Sequence, residues 1–139
     1  MNSIRESVHN LHAKSFDLKK EIENIIDNYL FCKVILNYDL SDTTPTKVKL
    51  AIVSIIKEAL NNTSKHSNAK LIKIIVRELD QHIQVTINDN GTLKNTSSMG
   101  IGLISMQDRI ENLNGIINIS TNDGFRIHIT IPKEETKWN

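Results

Sequence analysis

Most of what divides, cross-links or anchors a chain is scarce in these 139 residues, which hold one cysteine, two prolines and 4% aromatic residues. The lone cysteine, Cys32, has no partner for an internal disulfide and sits in the apolar stretch 29–36, which suits a buried thiol in a reducing cytosol. Nothing near it in sequence marks a depressed pKa, so a packed thiol is expected rather than a reactive one. No apolar run approaches the ~20 residues that cross a bilayer, and the N-terminus lacks the apolar core of a signal peptide. A cytoplasmic chain without membrane contact is therefore expected, any membrane segment belonging to a longer parent. Seventeen basic against sixteen acidic residues leave a formal charge of +1. With no field of one sign, nucleic acid is not an expected partner. Only Pro45 and Pro132 punctuate the sequence, and no repeat or low-complexity tract splits it, so one core is expected.

What the chain does have is periodicity. Residues 1–12 read as the end of a helix, and 17–28 as a second helix with Leu18, Ile22, Ile25 and Ile26 at helical spacing. A short strand over 33–38 follows. The polar loop 41–45 places Thr44 to cap a helix whose first residue is Pro45 and which runs to about His66. Alternating β-branched residues predict strands over 70–78 and 82–88, joined by a turn near Asp80. A polar loop over 92–99 leads to a helix over 103–113 that stops at Gly115. Two last strands, 116–120 and 125–131, flank the turn Asn122-Asp123-Gly124. No function is expected of the charged tail after Pro132, Trp138 included. Helices and hairpins segregated in this way predict an α/β fold in two layers, a sheet with helices on one face and water on part of the other.

Three stretches carry chemistry. On the long helix, at ~100° per residue, Val48, Ile52, Ile55, Ile56, Ala59 and Thr63 form the core stripe, and Glu58, Asn62 and Lys65 lie along its border. An acid, an amide and an ammonium there suit a metal ion and phosphate, and they equally suit a solvated flank with a Glu–Asn pair four residues apart. The second stretch, Ile87-Asn88-Asp89-Asn90-Gly91, ends a strand on a carboxylate. Such a carboxylate can accept a hydrogen bond from an exocyclic amine while the glycine lets the backbone approach a flat ring, although the same tripeptide is also a common turn. The third stretch, Gly100-Ile101-Gly102-Leu103, puts two glycines before a helix, where free N–H groups bind phosphate. It is neither a Rossmann fingerprint, since no strand leads into it and no third glycine follows, nor a Walker loop.

In this order the three stretches resemble the superfamily of gyrase, the Hsp90 chaperones, the histidine kinases and the mismatch-repair ATPases. KEALNNTSKH (57–66) looks like its N box, INDNG (87–91) like its first glycine box and GIGL (100–103) like its second. The resemblance covers about 33–132. Within the superfamily, GIGLISMQDRIENLNG (100–115), with Met106, Arg109, Leu113 and Gly115, is similar to the sensor kinases related to nitrate and membrane-fluidity sensors.

The resemblance implies a two-layer α/β sandwich of the Bergerat type, with a mixed sheet. It implies an N-terminal helical segment over 1–30, the end of a dimerisation helix and a connector, ahead of an ATP-binding catalytic domain over 31–139. ATP and Mg2+ are the implied ligands. Asn62 would ligate the metal, Asp89 would accept the adenine amino group, and Gly91 would let the ring in. Gly100, Gly102 and Leu103 would line a lid against the phosphates, and Lys65 with His66 would face phosphate or ribose. His66 also falls on the apolar stripe, where a packed histidine fits equally well. Glu58 stands in the place of the general base of gyrase-like ATPases, and in a kinase it would polarise a water or the incoming imidazole. Two positions depart from the pattern: Leu93 replaces a second glycine of the first box, and Phe125 replaces the threonine usual after the last turn's glycine.

The implied reaction is transfer of the γ-phosphoryl group to a histidine on a separate dimerisation domain of the parent, and from there to a response regulator. The isolated domain would be monomeric and the parent a homodimer. His9 precedes Asn10 and His12 precedes Ala13, so neither is followed by the acid of a phosphoacceptor box. A stand-alone anti-sigma-factor serine kinase is the rival enzyme, opposed by the connector-like stretch 4–18 and by the Arg109 helix ending in Leu113-Asn114-Gly115. A nucleotide-binding module that no longer transfers phosphate is the other rival, and Leu93 is the feature that keeps it open.

Overall fold

The computed structural model describes residues 16–133. The expectations for the helix end over 1–12, for His9 and His12, and for Trp138 lie outside the described residues. Helix α1 (Leu18–Asp27) starts where Asp17 accepts the Lys20 N–H at 3.1 Å, which satisfies one of the donors that a first turn leaves unpaired. Leu18 and Ile22 are buried, and Ile25 and Ile26 pack half-buried against the same core, so the predicted stripe faces inward.

Helix α2 (Thr46–His66) is the long helix, and its predicted core residues Val48, Ile52, Ile55, Ile56, Ala59 and Thr63 are all buried. Its cap differs from the expectation. Pro45, extended at ψ 145°, occupies the capping position itself, and Thr44 turns its hydroxyl back to donate to the Ser41 carbonyl at 2.9 Å. The proline therefore precedes the helical winding instead of opening it.

Strands β1 (Lys33–Asp39), β2 (Leu71–Glu78), β3 (His82–Asp89), β4 (Ile116–Ser120) and β5 (Arg126–Pro132) form one sheet in the order β1-β2-β3-β5-β4. The β1–β2 pair is parallel and the other pairs are antiparallel, so the sheet is mixed. Rows of apolar side chains cross it. Leu36, Ile74, Ile87, Ile127 and Ile119 lie in register in one row, and Tyr38, Val76, Val85, Ile129 and Ile117 in the next. These rows face the helices, and each fully buried aliphatic side chain among them is worth ~1.5–3 kcal/mol of transfer free energy. The row nearest the end of β3 runs Val34, Ile72, Asp89, so a carboxylate takes the place of an apolar residue there. The alternate row, Ile35, Lys73, Asn88, Arg126 and Ser120, lies on the open face. At the sheet edge Cys32 is half-buried, less enclosed than expected, because β1 has a neighbour on one side only.

Helix α3 (Gly100–Glu111) also begins earlier than predicted. A 3-10 turn over Thr96–Met99 runs directly into it, so Gly100 and Gly102 lie within continuous winding and not in a loop before it. Met106, Ile110 and Leu113 are buried. The residue with positive φ after the helix is Asn114 (φ 61°) and not Gly115, asparagine being one of the few side chains that tolerate this conformation. What Gly115 supplies is room, since a Cβ there would stand 2.6 Å from the Thr130 carbonyl oxygen.

Candidate functional site

The site is built around Asp89, the one carboxylate fully buried among the described residues. Asp89 ends β3, is 2% exposed, and points into the helical layer. Its Oδ1 accepts the N–H of Gly91 at 3.0 Å and of Phe125 at 3.2 Å, and its Oδ2 accepts the Thr63 hydroxyl at 3.0 Å. An ionised carboxylate without such donors could not be held in an apolar layer. Two oxygens offer about four lone-pair positions, so after three bonds Oδ2 keeps room for one more donor. The turn before β5 is shaped to supply the Phe125 N–H. Gly124, at φ +86°, lies so close that a Cβ would stand 2.7 Å from the Asp89 carbonyl oxygen and 2.8 Å from Oδ1.

The second wall is the C-terminal half of α2. Asn62, next to Thr63, is 3% exposed, and its Nδ2 is buried without a hydrogen-bond partner. Glu58, one turn earlier, is half-buried, and Gly102 of α3 rests on its carboxylate: a Cβ on Gly102 would overlap Oε2 and stand 2.7 Å from Cδ. His66 is half-buried, with Nε2 3.3 Å from the Ser98 hydroxyl and Nδ1 buried and unpartnered. Lys65 is exposed. Glu58, Asn62 and Thr63 thus lie in the C-terminal half of α2, Thr63 bonded to Asp89 and Glu58 against Gly102 of α3, while Lys65 is left exposed.

The predicted lid folds down onto the end of α2. The Thr92 N–H donates to Asn68 Oδ1 at 2.7 Å, Leu93 forms a strand-like bridge with Ser67, and the Lys94 N–H donates to the His66 carbonyl at 2.7 Å. Leu93, the departure from the expected glycine, packs half-buried against the core, as does Leu103. Gly91 has an intramolecular reason to lack a side chain, since a Cβ would overlap the Ala69 nitrogen and the Ser67 hydroxyl. Gly100 has open space on its Cα side.

Burial pushes the Tyr29 phenol and the Cys32 thiol above their ordinary pKa values. For Tyr29 the nearby Cys32 adds to the burial effect ahead of Asp89, and for Cys32 the Asp89 charge is the second cause. The raised thiol agrees with an inert Cys32.

Thr63 falls on the core stripe and Gly124 in a hairpin turn by sequence pattern, and neither pattern reveals a neighbour of Asp89. A hydroxyl on an otherwise apolar stripe was the available signal, because a buried hydroxyl needs an acceptor.

The sequence profile of the "Histidine kinase-, DNA gyrase B-, and HSP90-like ATPase" family matches residues 47–135. The sensor histidine kinase DesK of Bacillus subtilis is 31% identical, over 95% of this chain and 37% of that protein. The nitrate/nitrite sensor protein NarX of Escherichia coli is 30% identical, over 73% of this chain and 18% of that protein. The chain thus spans little more than a third of the one relative and under a fifth of the other. Among solved structures, the histidine kinase AdeS of Acinetobacter baumannii superposes with a TM-score of 0.64 at 20% identity, over 91% of this chain and 77% of that one. The histidine kinase domain of a blue-light activated histidine kinase from Erythrobacter litoralis gives 0.66 at 19%, over 86% and 59%. At these identities the superpositions speak for the fold.

Proposed function

The chain belongs to the family of histidine kinase-, DNA gyrase B- and HSP90-like ATPases, and from that premise we propose that it is the ATP-binding catalytic domain of a sensor histidine kinase. It would move the γ-phosphoryl group of ATP to a histidine on the dimerisation domain of a longer parent, itself a homodimer that passes the group to a response regulator. One observation carries this reading: a buried carboxylate with one unused acceptor position, a buried amide with an unpartnered nitrogen, and the Glu58–Gly102 contact follow one another along α2 and β3.

In this reading Asp89 Oδ2 accepts the adenine amino group, with Gly91 at the ring. Gly100, Gly102 and Leu103 lie along the phosphates, and Lys65 and His66 meet phosphate or ribose from the end of α2. Phosphoryl transfer asks the protein mainly for position and charge compensation. Glu58 would polarise a water or the incoming imidazole, and the lid would exclude bulk water. The donor set suits magnesium. Among the described residues no three His, Cys, Asp or Glu side chains gather to hold a metal, and a magnesium ion that keeps its waters and nucleotide phosphates needs few protein oxygens. Asn62 would supply one, since rotating its amide exchanges the unpartnered nitrogen for the oxygen. When bound, the ion would offset phosphate charge. Among the described residues no helix is long and apolar enough to cross a membrane. A domain that draws on ATP and serves a response regulator would work in the cytoplasm.

The test is transfer from labelled ATP. With a separately supplied dimerisation domain, acid-labile and base-stable phosphate should appear on that domain and none on this chain alone. In-line transfer needs the reacting atoms ~3–3.5 Å apart, and neither His9 nor His12 is followed by an acid. Label on His9 or His12, or acid-stable label on a serine, would contradict the reading.

A further inference from the structure

We propose that Thr63 sets the nucleobase selectivity of this chain by aiming the Asp89 carboxylate; the proposal rests on the assignment of adenine to Asp89. Thr63 is 1% exposed, and its hydroxyl donates to Asp89 Oδ2 at 3.0 Å. The two other donors to this carboxylate are backbone N–H groups, of Gly91 and Phe125, and both go to Oδ1. Any residue at those positions except proline would bring the same N–H. The Thr63 hydroxyl is therefore the single contribution that side-chain identity controls, and it acts on the oxygen that has an acceptor position to spare.

The turn before β5 brings no second hydroxyl. Phe125, where the family resemblance has a threonine, contributes its N–H while its side chain is buried in the core. In this chain α2 supplies the hydroxyl instead, from the residue that follows Asn62. Pinned at three points, the carboxylate can present the remaining Oδ2 lone pair in one direction only. A lone pair held toward C6 of a purine attracts the exocyclic amine of adenine and repels the carbonyl oxygen that hypoxanthine carries there. Thr63 touches neither phosphate nor metal in this arrangement, so it acts as a positioning residue through Asp89.

The experiment is calorimetric titration of the full chain, in magnesium, with ATP and with inosine triphosphate, for the wild type, Thr63→Val and Thr63→Ser. The wild type should prefer ATP. Thr63→Val, close to threonine in shape, should lose roughly tenfold in ATP affinity, as expected for one hydrogen bond to a charged group, while its affinity for inosine triphosphate stays within about twofold. Thr63→Ser, which keeps the hydroxyl and drops the methyl group, should retain the wild-type preference for ATP. Equal loss for both nucleotides in Thr63→Val would show a packing role and overturn the proposal, as would no loss for either. A wild type that binds both nucleotides equally would instead remove adenine from Asp89, and the proposal would fall with that assignment.

Discussion

Asp89 carries the base end of the proposed site, and its three donors decide what a substitution does. In Asp89→Asn one oxygen remains an acceptor, but the amide NH2 must face either the Gly91 and Phe125 N–H groups or the Thr63 hydroxyl and the incoming amine, donor against donor. ATP affinity should fall by ~10- to 150-fold, the equivalent of a charged hydrogen bond worth ~1.5–3 kcal/mol, as read by calorimetry. An unchanged affinity would put the base elsewhere. Asn62→Ala should instead blunt the response of ATP binding to magnesium. Titrating ATP at several magnesium concentrations separates the two variants, and a full metal response in Asn62→Ala would remove Asn62 as the ligand. Asp89 and Asn62 were legible in the sequence because short motifs carry them. The Thr63–Asp89 bond was not, because it joins residues 26 apart and depends on how α2 sits over β3.

At the scale of elements, the far end of the sandwich is fastened by a different carboxylate. Glu78, at the end of β2, accepts the Ser41 N–H at 2.7 Å and pairs with Lys133 at 2.6 Å, tying the loop before α2 and the residue after β5 to one point. The Lys133 hydrogen bond, and then those from Ser41, hold its carboxyl down at about 2. The unfolded chain, with its ordinary glutamate, takes up a proton first as pH falls. The stabilisation is therefore complete above the usual glutamate range and is lost between there and about pH 2. Urea unfolding followed from pH 6 to pH 2 should show this acid loss in the wild type and a flatter profile in Glu78→Gln. Identical profiles would mean that the tie contributes nothing. The elements themselves read well wherever side chains alternate: the described strands begin and end within one residue of their predicted ends. The ends of helices were harder to read. The 3-10 turn before α3 has no apolar period to reveal it, Thr44 and Pro45 fit a cap that the backbone places one residue later, and Asn114 competes with Gly115 for the left-handed position.

At the scale of the molecule, α2 and the five-stranded sheet make a rigid wall of buried isoleucine, valine and leucine. The proposed site occupies the end where that wall gives way to Asn62, Thr63 and Asp89. The opposite wall is the segment 92–102, held to α2 by a few hydrogen bonds and the contact of Gly102 with Glu58. In the proposed function this segment would act as a lid that lifts to admit a nucleotide without disturbing the sheet. The mixed sheet with helices on one face was legible because the two periodicities separate cleanly along the chain. The seating of 92–102 against α2 was not, since it rests on contacts between segments far apart in sequence. The measurement that tests the account most directly is a calorimetric titration of the chain with ATP, run with and without magnesium. The account predicts saturable one-to-one binding that strengthens when magnesium is present, and the absence of binding in magnesium would contradict it.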